Sequence, residues 1–267
     1  MILEQTFKLL KTKYKDQIET LTISDVRIGV LLSAVLLSDG SCGVSSTVTN
    51  TLTHCDKKSR DYGDFSPLKI TGQKVISLFE MDKKSSLIDT LKTAVLNAIS
   101  SKLISTSNYR IIENSDPIDL LDLDSNKIIT VVGGFQTYIQ KISETNNKLY
   151  VLELNENALT VEQKQFYIPA EQYATILPSS NIVIITGLTL VNNTIDDLLA
   201  SVSPKAKVIV TGPTSSIIPD VLFENKVNII GATRITNSDL LFSVVGEGGA
   251  GFHLFKYCAQ KICILNE

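Results

Sequence analysis

Residues 181–214 read NIVIITGLTLVNNTIDDLLASVSPKAKVIVTGPT and say nearly the same thing twice. The apolar run 182–185 ends in Thr186-Gly187-Leu188-Thr189. The run 208–210 ends in Thr211-Gly212-Pro213-Thr214. Between them lies a helical pattern in which Asn193 reads as the N-cap, with Asp196 three residues later. Short continuous apolar runs separated by one helix mark a βαβ unit with parallel strands buried on both faces. Parallel strands bring both T-G-x-T turns to one edge of the sheet, beyond the carboxyl ends, where open α/β sheets bind ligands.

Outward from this unit the same rhythm continues. Strands are expected at 128–132, 149–152, 182–185, 208–210, 227–230 and 262–265, with helices in the gaps, a doubly wound and mostly parallel sheet. Upstream the pattern differs. Leu3, Phe7, Leu10, Tyr14 and Ile18 recur at helical spacing. Asp39-Gly40, between β-branched and apolar segments, signals a hairpin. Residues 56–66 read as a loop, and Ser86 with Asp89 opens a helix whose stripe is Leu87, Leu91, Ala94, Val95 and Ala98. Residues 1–107 are therefore expected to form a small α+β domain. The Asp-, Asn- and Ser-rich 108–126 read as a linker or domain entry, and 108–267 form the Rossmann-like domain.

Composition narrows the function classes. The 267 residues are 43% hydrophobic with mean hydropathy +0.16, enough for a sizeable core. A net charge of -3 and no Trp give no footprint for nucleic acid. No apolar run reaches the ~18 residues of a membrane span, and charges interleave with the apolar residues of the N-terminus, so the expectation is a cytoplasmic protein without membrane partners. The four cysteines, at 42, 55, 258 and 263, do not form a C-x-x-C pattern. Cys42 and Cys55 on one strand would lie roughly 43 Å apart at full extension. Cys258 and Cys263, five apart on a helix, would face about 140° away from each other. They read as packed or surface thiols. His54 and His253 each stand alone, and no Ser-His-Asp or Walker-type pattern is present.

The runs VVGGF, VLELNEN, ITGLTLVNNTIDDLL, VIVTGPTSSIIPDVLF and VVGEGGAGFHLF, preceded by IGVLLSAVLLSDGSCGVSST and LKTAVLNAIS, resemble a domain of unknown function named the "putative heavy-metal chelation" family. The resemblance implies an enolase-N-terminal-like α+β domain followed by a Rossmann-like domain, with a ligand cleft between them. It also implies a divalent or heavy metal as the group handled. The partner expected is a metal or small-molecule ligand, and a homodimer is admitted.

Within that frame the polar residues take roles. Gly133, Gly134 and Phe135 follow the first strand of the second domain, where glycines permit a sharp turn and close backbone approach to a ligand. Glu153, twenty residues after Gly133, stands where dinucleotide-binding domains place an acid on the ribose hydroxyls, although G-x-G-x-x-G is missing. Thr186, Gly187, Thr189, Asn192, Gly212, Pro213 and Thr214 are read as lining a small anionic ligand, a phosphate or carboxylate held by hydroxyls and backbone N–H groups, with helix capping as the alternative. Gly248 and Gly249, in the glycine cluster 246–251, read as a wrapping loop or lid. Its Glu247 and Glu153 are the acidic candidates for catalysis or metal contact. Asn97, beside an apolar stripe, is a candidate to point into the cleft, with a helix-edge position as the commoner alternative. Three function classes follow: a metal-handling protein, a small-molecule enzyme using a nucleotide- or pterin-like ligand, and a non-catalytic binding module. Replacing Thr189 and Thr214 together by Val is expected to abolish binding and leave the fold intact.

Overall fold

The computed structural model describes residues 1–48, 61–83 and 85–266. The small unit holds an antiparallel sheet in the order β1 (Ile23–Ile28), β2 (Leu32–Leu37), β3 (Cys42–Ser46), with α1 (Ile2–Tyr14), α2 (Gln17–Thr20), α3 (Val75–Phe79) and the long α4 (Ser86–Thr106). The Asp39-Gly40 turn joins β2 to β3, with Gly40 at φ 81. The face that α1 buries is Ile2, Thr6, Leu10 and Tyr14, one position off the expected stripe at its start, and the chain breaks at Lys15 (φ 50) before α2 buries Ile18. Ser85, not Ser86, caps α4: its hydroxyl accepts from the Ile88 N–H at 3.2 Å. Part of the expected 56–66 loop lies outside the described residues, as do His54 and Cys55.

The large sheet has eight strands: β4 (Arg110–Glu113), β5 (Ile128–Val132), β6 (Lys148–Glu153), β7 (Tyr167–Pro169), β8 (Ile182–Thr186), β9 (Lys207–Thr211), β10 (Val227–Ile235) and β11 (Ala259–Leu265). Their spatial order is β4-β11-β10-β9-β8-β5-β6-β7, parallel from β10 to β7 and antiparallel where β11 meets β10 and β4. The six parallel strands thus follow the dinucleotide-binding order 3-2-1-4-5-6. The 108–126 segment is not only a linker, because β4 lies inside it and forms the sheet's edge. The helices of this unit are α5 (Gln136–Ser143), α6 (Tyr173–Ile176), α7 (Leu188–Val191), α8 (Ile195–Ser201), α9 (Pro219–Glu224), α10 (Ser238–Gly246) and α11 (Gly251–Tyr257). Asn193 is no N-cap: it takes φ 59 in the turn after α7, and Thr194 precedes α8. The Asp196 carboxylate accepts from the Ile2 N–H at 3.0 Å, tying α8 to the start of α1.

Strand periodicity explains why the apolar runs are unbroken. Along β8, Ile182 and Ile184 pack with α5 residues Tyr138, Ile139 and Ile142, while Val183 and Ile185 face the opposite cluster. That second cluster contains Leu91, Val95 and Ile99 of α4, Val35 and Leu37 of β2, and Val208 and Val210 of β9. One hydrophobic core therefore runs through both units, and α4 is its axis. Ala94 through Ser100 are all buried, so this helix is enclosed on every side rather than striped. Each fully buried Leu or Ile contributes about 1.5–3 kcal/mol relative to exposure. No helix among the described residues is long and apolar enough to cross a membrane.

Candidate functional site

The sheet reverses its winding between β5 and β8. From β5 the chain proceeds through β6 to β7 on one side, and through β8, β9 and β10 on the other. Such a switch point leaves a crevice beyond the carboxyl ends of the two strands. A hollow of about 210 Å³ occupies it, lined by residues at the ends of β5, β6 and β8 and by α7 and α8. Gly133, Glu153, Thr186, Thr189 and Asn192 all line it, so the structure brings together five of the residues singled out in the sequence.

Local physics positions each of them. Gly133 takes φ 111, and a Cβ there would lie 3.0 Å from the Thr186 methyl, so the turn after β5 needs glycine twice over. Glu153 ends β6; its Oε1 accepts from the Leu154 and Asn155 N–H groups at 2.8 and 3.1 Å. A Cβ on Gly134 would lie 3.6 Å from Oε2, which places the carboxylate beside the glycine turn. The Thr189 hydroxyl donates to the Thr186 carbonyl at 2.6 Å, and the Thr186 hydroxyl accepts from the Leu188 N–H at 3.3 Å. The Asn192 side chain accepts from the Thr194 hydroxyl and N–H. These bonds close the turns that lead into α7 and α8, although neither helix has a side-chain cap at its N-cap residue. The walls are apolar, with Leu152, Leu188, Leu198 and Tyr173. The charged residues of the lining are Glu153, Glu171 and Asp197, and it includes no Lys, Arg or His. Three carboxylates disfavour an anion at this place, contrary to the phosphate or carboxylate expected from the threonine turns.

The second threonine corner opens elsewhere. Thr211, Gly212 and Pro213 line a separate hollow of about 290 Å³, together with Phe135 and residues of α11. Thr186 and Thr211 are register partners on β8 and β9, yet their corners do not converge on one guest. Thr214 lines neither hollow. It is 1% exposed, its hydroxyl donates to the Ser46 hydroxyl at 2.9 Å and accepts from the Ser46 N–H at 2.9 Å, and it bonds the two units together. Both hollows are lined by residues from 115 to 262 alone, so neither is a cleft between the small and large units. The expectation for the Thr189 and Thr214 double variant changes accordingly. Thr214→Val alone should lower stability by about 1–3 kcal/mol, because the part-buried Ser46 N–H loses its acceptor; urea denaturation read by circular dichroism measures it.

Asn97 is likewise structural. It is 2% exposed, and its Nδ2 donates to the Val44 carbonyl at 2.7 Å and to the Thr214 carbonyl at 3.0 Å. The glycine cluster 246–251 ends α10 and starts α11: the Gly248 N–H donates to the Val245 carbonyl and the Gly249 N–H to the Val244 carbonyl. Glu247 is exposed on this turn and lines neither hollow. His253 accepts from the Ala250 N–H through Nδ1.

Among the described residues no group of three or more His, Cys, Asp or Glu side chains is arranged to hold a metal ion. The described cysteines are part of no such group. Cys258 ends α11 and Cys263 lies on β11, not on one helix, and both are buried, as is Cys42. Burial pushes the Cys42 thiol up to about 12 and Cys263 up to about 11. These residues do not fit a heavy-metal cage built from the described side chains.

Residues 116–264 match the family model described as "Putative heavy-metal chelation", and residues 11–100 match a second model with the same description. The fold matches that of a DUF364 family protein of unknown function from Pyrococcus horikoshii at 21% identity, covering 99% of this chain and 100% of that one, with a TM-score of 0.79. It also matches one from Desulfitobacterium hafniense DCB-2 at 18% identity, covering 97% and 100%, with a TM-score of 0.73. No curated protein matches the chain. The first model spans more than half of the sequence and both solved relatives share the whole architecture: the chain belongs to the DUF364 family.

Proposed function

We propose that the chain binds a neutral or cationic, nucleoside-like small molecule in the switch-point hollow. The observation that carries this is the position of Glu153, at the end of β6 and beside the Gly133-Gly134 turn, in a hollow whose walls include Leu152, Leu188, Leu198 and Tyr173. In sheets of this order the acid at that strand end accepts hydrogen bonds from the ribose hydroxyls. Glu153 Oε1 is occupied by two backbone N–H groups, which orient the carboxylate and leave Oε2 for such a diol. Leu152, Leu188 and Tyr173 offer the apolar surface that a base ring requires. A heavy metal, on this reading, reaches the chain bound to an organic molecule that supplies its donors.

Thermal denaturation with adenosine, with its 5′-phosphate and with divalent metal salts tests the reading. Adenosine at 100 times its dissociation constant should stabilise the fold by ~2.7 kcal/mol, a shift of several degrees. The phosphate should bind less well because three carboxylates line the hollow, and Glu153→Ala should remove the adenosine shift. Stabilisation by metal alone, or none by any nucleoside, would refute it.

A further inference from the structure

We propose that the second hollow is a distinct binding site for a free aromatic amino acid or a like zwitterion. It shares no lining residue with the switch-point hollow. At about 290 Å³ it is just below the roughly 300–1,000 Å³ range of small-molecule pockets. Two opposite charges line it as a pair: Lys261 Nζ of β11 lies 2.7 Å from Oδ2 of Asp116, which precedes the helical turn Pro117–Leu120. Oδ1 of Asp116 accepts from the Tyr138 hydroxyl and, at 3.4 Å, from the Ile118 N–H. A carboxylate has about four lone-pair positions and an ammonium three donors, so each partner keeps capacity for a ligand. Thr211 belongs to the same lining.

The walls are aromatic. Phe135 stacks on Tyr138 with ring centroids 5.3 Å apart, Phe255 faces the Lys261 ammonium at 5.2 Å, and Phe252 lines the hollow while 68% exposed. A ring in a ligand can stack against these faces in the offset geometry that aromatic pairs favour. The charge pattern then selects the rest of the molecule. A purely anionic or purely cationic ligand meets a neutral pair, attracted by one member and repelled by the other. A zwitterion engages both: its ammonium donates to Asp116, and its carboxylate accepts from Lys261 and Thr211, each as a charge-assisted hydrogen bond.

Isothermal titration of the full chain with L-phenylalanine, phenethylamine and 3-phenylpropanoate decides the matter. L-Phenylalanine should bind at least about ten-fold more tightly than either singly charged analogue, and Lys261→Ala, at an exposed position, should weaken it by about ten-fold or more. Absence of binding at millimolar concentration, a smaller preference, or indifference to Lys261→Ala overturns the proposal. Adenosine binding is unaffected by Lys261→Ala in either case, so failure here is separable from failure at the switch point.

Discussion

Gly43→Ala should cost the fold about 3 kcal/mol or more, the upper end for overpacked cores. A Cβ at this position in β3 would lie 2.1 Å from the Ala94 carbonyl oxygen, 2.4 Å from the Ala98 nitrogen and 2.9 Å from the Ala98 Cα. All three are backbone atoms of α4, so no side-chain rotation relieves the clash. Relief requires β3 to withdraw from the helix on which both units pack, which opens gaps along Ala94 and Ala98. Native domains are stable by only ~5–15 kcal/mol, and at 2–4 °C per kcal/mol the melting temperature should fall by roughly 6–12 °C. Gly40→Ala is the control: its Cβ meets nothing within 4 Å, and only its φ of 81 opposes the change. Equal urea midpoints for the two variants would mean that the close approach of β3 to α4 is not what needs glycine at 43.

Asn97→Asp tests the bolt between the units. The native amide gives one N–H each to Val44 and Thr214 carbonyls in a place 2% exposed to water. A carboxylate there faces two carbonyl oxygens with no donor to offer, and an uncompensated buried charge costs about 3–5 kcal/mol. Burial disfavours the charged form, so the introduced group should have a folded pKa above its unfolded value. The penalty is therefore smallest below the unfolded aspartate pKa of about 3.9 and grows as pH rises through the folded pKa. Denaturation of variant and parent at pH 4 and pH 8 should show the gap widening with pH. A constant gap would show that charge is not the cause.

These two variants mark where the sequence was readable and where it was not. The run 128–132 coincides with β5, and the other five expected strands lie inside β6, β8, β9, β10 and β11, because strands buried on both faces are written as continuous apolar runs. Their directions are not written that way. The run 262–265 of β11 is as apolar as those of the parallel strands, but β11 runs against β10. β4 and β7 escaped because edge strands are short and half polar: Arg110-Ile-Ile-Glu113 buries neither end, and Tyr167-Ile-Pro169 has three residues and a proline. The near repetition of the Thr-Gly corners was legible, as was the place of Glu153. That Leu188 and Pro213 lead the chain toward different hollows was not, since it depends on what packs beside each turn. Asn97 shows the same limit: a polar residue in an apolar helix reads as facing a ligand until its two carbonyl partners, 53 and 117 residues away, are known.

The pairing of β4 with β11 has a consequence for synthesis. Residues 110–113 leave the ribosome about 150 residues before 259–265, the strand that joins them to the sheet. The Rossmann-like sheet can assemble from β5 through β10 during translation, but its first-made strand stays unclaimed until β11 has emerged. Closure of this sheet is thus a late event, and a nascent chain stalled before residue 259 should expose the flank of β10 to whatever other strand reaches it first.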